Sequence, residues 1–90
     1  MGSGKLERRV RRNRRAVRLG DLMALLRADG FVCVQRSTGH WTCVHPASKE
    51  RCNVAPAHGR GDAHLLVVYV DEALQTLDRH RAWAAEQEAS

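Results

Sequence analysis

The spacing of apolar positions changes several times along the chain, and each change marks an element. Leu6, Val10 and Val17 fall at helical spacing within residues 5–18, where most of the other positions are basic. Gly20-Asp21 followed by Leu22, Leu25 and Leu26 reads as an N-cap and one apolar stripe, and Asp29-Gly30 supplies the left-handed stop of a short helix. Phe31-Val32-Cys33-Val34-Gln35-Arg36 has the β-branched content of a strand. Ser37-Thr38-Gly39 is a turn, and residues 40–45 resume strand character, so a hairpin is expected. Residues 46–50 make a second turn, and residues 51–55 return as a third strand before Pro56 withholds its backbone donor. A Gly- and Pro-containing loop over residues 56–61 leads to Asp62, a candidate N-cap for a last helix in which Leu66, Val70, Leu74 and Leu77 share a stripe. Residues 65–70 taken alone read equally well as a strand, whereas residues 71–85, rich in Ala, Leu, Glu and Gln, read as helix. The expected order is α-β-β-β-α, an α+β domain with a three-stranded antiparallel sheet.

Charge divides the chain differently. Residues 1–18 hold eight bases and one acid, a net +7, so the remaining residues sum to −2 within the overall +5. The basic character therefore belongs to an arm, residues 1–18. A block of like charge this dense is disordered until it meets an anionic surface, or else forms a helix whose other faces are arginine. Residues 19–80 form the domain proper, and residues 81–90 its C-terminal helix end or tail. Ninety residues give one domain at most, and only four aromatics leave its core to Leu, Val and Ala. Such a core is marginal alone, which points to an oligomer or complex. No apolar run is long enough to span a bilayer and the arginine-rich start lacks a secretory apolar stretch, so a soluble cytoplasmic protein is expected. Three cysteines, an odd number without a CxxC pair, are read as reduced core thiols. Their spacing with the histidines matches no zinc site, so no metal and no cofactor is expected.

His40 opens a strand directly after a Gly turn, where a ring nitrogen can project from the sheet rim. An imidazole with a pKa of about 6.5 can serve as base and then acid, as metal-free RNA cleavage through the 2′-hydroxyl requires. It reads also as an ordinary exposed turn histidine. Arg36, at the other end of the same turn, is placed to pair with a phosphate near His40, or to solubilise a strand edge. Trp41 offers a stacking surface for an unpaired base or a core ring. Arg8, Arg9, Arg11, Arg12, Arg14 and Arg15 of the arm would give salt-dependent attraction to RNA without base readout. Alternatively, a helical arm would face an acidic protein partner.

Taken together, Gly30-Phe31-Val32, Arg36, the turn to His40, His45-Pro46 and Pro56-Ala57-His58-Gly59 resemble the HicA family of bacterial toxins, the mRNA interferases of HicA/HicB toxin–antitoxin modules. The resemblance covers residues 19 to about 80, with Thr38-Gly39-His40 where the family has Gly-Ser-His. It implies a fold like that of double-stranded-RNA-binding domains, a helical last segment and His40 as the catalytic histidine. It also implies mRNA as substrate and a HicB-like antitoxin as partner. The expected function is thus that of a metal-independent endoribonuclease toxin. The alternative is a non-catalytic RNA-binding or complex-assembly module on the same fold.

Overall fold

The computed structural model describes residues 4–56 and 63–90 and orders them as α1 (Gly4–Arg12), α2 (Leu19–Ala28), β1 (Val32–Gln35), β2 (Trp41–Val44), β3 (Arg51–Val54) and α3 (Val67–Ala89). The fold is α+β as expected, but two helices precede the sheet, so the α-β-β-β-α order holds only from α2 onward. Asp62, His58 and the Gly59-Arg60-Gly61 loop lie outside the described residues. The last helix begins at Val67, which leaves Leu65 and Leu66 outside it and resolves the ambiguous segment as coil running into helix. It also runs without a break across residue 80 to Ala89, so residues 81–90 extend one 23-residue helix.

The strands form a meander in the order β1-β2-β3, antiparallel throughout. Cys33 lies opposite Cys43 and Cys43 opposite Cys52, while Gln35, Trp41 and Val54 form the next row on the same face. Successive strand residues point to opposite faces, so Cys43, Cys52 and Val54 turn inward and are buried. They meet Leu22, Met23, Leu25 and Leu26 of α2 and Val70, Ala73, Leu74 and Leu77 of α3, all buried in one cluster. Both helices therefore cover one face of the sheet and leave the other open.

Local chemistry explains the punctuation. α2 starts at Leu19 with Arg18 at its N-cap and no side-chain cap, so Asp21 sits in the first turn and does not cap it. Its C-terminus is a Schellman closure: Phe31 N donates to Leu26 O at 3.2 Å and Gly30 N to Arg27 O at 3.0 Å, with Gly30 at φ 96°. The first hairpin closes through Arg36 N to His40 O (2.7 Å) and Gly39 N to Arg36 O (2.9 Å). Gly39 takes φ 93°, the left-handed residue of a three-residue loop. The second closes through His45 N to Glu50 O, and here the left-handed position falls on Lys49, φ 68°.

The arm is part of the fold. Val10 and Val17 are 2% exposed and belong to the core cluster, Leu6 packs against it, and Leu65 N donates to Val17 O at 2.8 Å. Burying two valines and matching positive charge to acids on α3 overcomes the self-repulsion that would unfold an isolated arginine-rich segment.

Candidate nucleic-acid interface

The open face of the sheet is built by the residues that alternate with the buried ones. Val32, Val44 and Arg51 form one row across the strands and Val34, Thr42 and Asn53 the next. Val32 and Val34 are 55% and 49% exposed. Beyond them, at the end of the sheet where the first hairpin turns, Arg36 and His40 face each other as a hydrogen-bonded pair.

Arg36 is held by Thr42: its Nε donates to Thr42 Oγ1 at 3.3 Å, and that hydroxyl donates to Asn53 Oδ1 at 3.1 Å. This chain runs from the first hairpin turn across β2 to β3, and Thr42 is buried on an otherwise open face. The two terminal guanidinium nitrogens of Arg36 have no hydrogen-bond partner among the described residues, in a side chain that is exposed. His40 is exposed as well; its backbone N donates to Thr38 Oγ1 at 3.4 Å, and its ring has no hydrogen-bond partner among the described residues. The two residues are paired through their backbones across the turn, and an imidazole and a guanidinium on one hairpin turn are groups that can, respectively, exchange a proton and balance negative charge on a phosphate.

Trp41 does not join this pair. It shares the face of Cys43, packs half-buried against the core, and carries the guanidinium of Arg27 over its ring at 5.7 Å. Its buried Nε1 has no hydrogen-bond acceptor among the described residues. The core reading of Trp41 is the one its position matches.

The arm arginines are also apart from His40, because α1 packs on α2 and α3, on the side of the sheet opposite the open face. Three of them are seen committed to acids. Arg9 pairs with Asp21 at 3.4 Å, Arg11 with Glu7 and Asp78 at 2.9 and 2.8 Å, and Arg14 with Asp71. Arg8, Arg12 and Arg15 have no acidic partner among the described residues. Lys5, Arg8, Arg9, Arg12 and Asn13 line a groove on the outside of α1, a second cationic surface distinct from the hairpin.

Under the sheet end opposite the His40 turn lies a ring cluster that sequence reading left unassigned. His45 stacks on His80 with centroids 3.7 Å apart, and Phe31 meets both edge-on. His45 Nδ1 accepts from Ala47 N at 3.1 Å, so Nε2 carries the proton and donates to Asp29 O at 3.0 Å. That pattern fixes the orientation of the His45 ring between the second turn and the end of α2. His80 Nδ1 bonds Ser48 Oγ at 2.9 Å, and its pKa is lowered by burial and by neighbouring His45.

Arg51 and Asn53 are the residues of the open face that sequence reading missed. The alternation of β3 places them outward with Thr42, and Arg51 has no acidic partner among the described residues. Reading residues 51–55 with period 2 would have found them. Among the described residues no cluster of His, Cys, Asp and Glu is arranged to hold a metal, and no helix is long and apolar enough to cross a membrane. Compared with protein-family models, with curated proteins and with solved structures, the chain matches none.

Proposed function

We propose that this protein is a HicA-like endoribonuclease acting on mRNA, the toxin of a toxin–antitoxin pair whose HicB-like partner covers the open face of the sheet. The observation that carries this reading is the exposed His40–Arg36 pair on the hairpin turn, its arginine anchored through Thr42. The α+β fold, with a three-stranded antiparallel meander between α2 and α3, supports the reading at the level of fold class, while α1 adds a helix ahead of the double-stranded-RNA-binding order.

In the proposed reaction, His40 takes the proton of a ribose 2′-hydroxyl. The 2′-oxygen attacks the adjacent phosphorus, the bond to the 5′-oxygen breaks, and the His40 imidazolium returns its proton to that leaving oxygen. Arg36 balances the charge that gathers on the phosphoryl oxygens. Arg51 holds a neighbouring phosphate along the face. The products are a 2′,3′-cyclic phosphate and a 5′-hydroxyl.

The test is incubation of a mixed single-stranded RNA with the protein in EDTA, wild type beside His40→Ala, with identification of the new ends. Cyclic phosphate ends that disappear in the variant are the expected result. Intact RNA in both lanes, with a complex shifted at low salt, would move the assignment to a non-catalytic RNA-binding module. One observation favours that second reading: the His40 ring has no partner among the described residues to orient it, whereas a catalytic base is commonly held by a third group.

A further inference from the structure

We propose that Cys33 and Cys43 form an oxidisable dithiol, a modification site at which a hydroperoxide converts two thiols into a disulfide pinning β1 to β2. The register carries it. Arg36 and His40 are a hydrogen-bonded pair and such pairs alternate along an antiparallel ladder, so Cys33 and Cys43, directly opposite, form a non-hydrogen-bonded pair. Arg27 Nη2 donates to Cys33 O at 3.3 Å, which places that carbonyl outward, away from β2, as this assignment requires. Non-hydrogen-bonded pairs bring Cα atoms to about 4.5 Å and Cβ atoms closest, within the span of a disulfide. Cys43 and Cys52 are instead a hydrogen-bonded pair, with the wider separation.

Access selects the same pair. Cys33 is half-buried on the edge strand, whereas Cys43 and Cys52 are buried. The Cys33 thiol is held below its ordinary pKa by a hydrogen bond with Cys43 and by the nearby Arg27 cation. Cys43 is pushed up by the same pairing and by burial. The Cys52 thiol is lowered by Cys43 in the same way, so it is exposure on the edge strand and the register that make Cys33 the attacking thiolate and Cys43 the resolving thiol.

The step balances with a hydroperoxide as oxidant. The Cys33 thiolate attacks the terminal oxygen, the O–O bond breaks, and the alkoxide or hydroxide leaves and takes a proton, giving Cys33 sulfenic acid. Cys43 then loses its proton and attacks the Cys33 sulfur; the S–S bond forms, the S–O bond breaks, and water leaves. Two electrons pass from the thiols to the peroxide. The resulting cross-link spans the hairpin whose turn carries Arg36 and His40, and it stands whether or not that turn cleaves RNA.

The full chain is treated with hydrogen peroxide and analysed by non-reducing mass spectrometry beside Cys33→Ser and Cys52→Ala. Wild type and Cys52→Ala are expected to lose about 2 Da, with tryptic peptides 28–36 and 37–49 joined and released by dithiothreitol. Cys33→Ser, at a half-exposed position, is expected to keep its native circular dichroism and to form no internal disulfide. Joining of peptide 37–49 to the peptide bearing Cys52 would overturn the assignment. So would oxidation of Cys33 to sulfinic acid without a disulfide, or a dimer linked through Cys33.

Discussion

Gly30 shows how one atom can be excluded. It stands at φ 96°, where an L side chain is strained, and a Cβ there would lie 2.9 Å from His45 Nε2, the ring atom that donates to Asp29 O. Backbone strain and displacement of the ring act together, so Gly30→Ala is expected to cost about 2 kcal/mol, read as a lower urea midpoint with an unchanged slope. An unchanged midpoint would mean that the helix end relaxes into another closure. Gly39, also at positive φ, has nothing within 4 Å of such a Cβ, so strain there comes from the backbone alone.

At the scale of elements, α1, α2 and α3 meet through one ion network. Arg81 on α3 bonds Asp29 at 2.8 and 3.1 Å and Glu7 of α1 at 2.8 Å, while Glu7 also receives Arg11 at 2.9 Å. Arg81 is the main cause of the lowered Glu7 pKa, about 2. A carboxylate with a depressed folded pKa contributes stability in full above its unfolded value of about 4.3, and that stability is lost as pH falls toward 2. Glu7→Gln is expected to cost on the order of 2 kcal/mol at pH 7, with the difference from wild type closing by about pH 2. A constant difference across that range would assign the effect to packing.

His80 titrates in a separate window. Facing it are His45 from the sheet end, Asp29 after α2, Glu50 from the second turn and Arg81 beside it on α3; burial and His45 dominate and lower its pKa. The neutral ring is favoured in the folded state, so its contribution is complete above about pH 6.5. It is lost as pH falls below that value, until the folded state also binds the proton. Denaturant midpoints of wild type are expected to decline between pH 7 and 5, and those of His80→Phe to decline less. Parallel curves would place the acid sensitivity elsewhere.

For the whole molecule, the edges of the sheet are treated unequally. The outer edge of β3 is satisfied by α3, where Glu72 Oε1 accepts from Asn53 N at 3.3 Å and Thr76 Oγ1 donates to Arg51 O at 3.4 Å. On β1 the corresponding contact is Arg27 on Cys33 O. Because Val10 and Val17 belong to the core, deleting residues 1–18 would remove packing along with charge and would not isolate the arm's part in binding. The cleaner change is Arg8, Arg12 and Arg15 together to Gln, which leaves the acid-paired arginines in place. If the α1 groove grips RNA, the slope of log affinity against log salt is expected to become shallower by about 2, with the melting temperature unchanged. An unchanged slope would confine RNA to the open face.

Local rules in the sequence determined the class of fold, the inward row of cysteines, the Asp29-Gly30 stop and both hairpin turns. Each depends on neighbours within a few residues: period-2 alternation, a left-handed glycine, a proline that withholds a donor. The same locality placed Arg36 and His40 across one turn. Tertiary structure alone decided what the arm is, because its charge argues for disorder until Glu7, Asp71 and Asp78 are brought beside it and Val10 and Val17 find the core. It likewise decided that Trp41 faces the helices, that Arg51 and Asn53 share the open face with Arg36, and that His45 and His80, 35 positions apart in the chain, stack as one pair. Those relations join residues distant in sequence, and no local propensity or spacing carries them until the helices and the sheet are packed together.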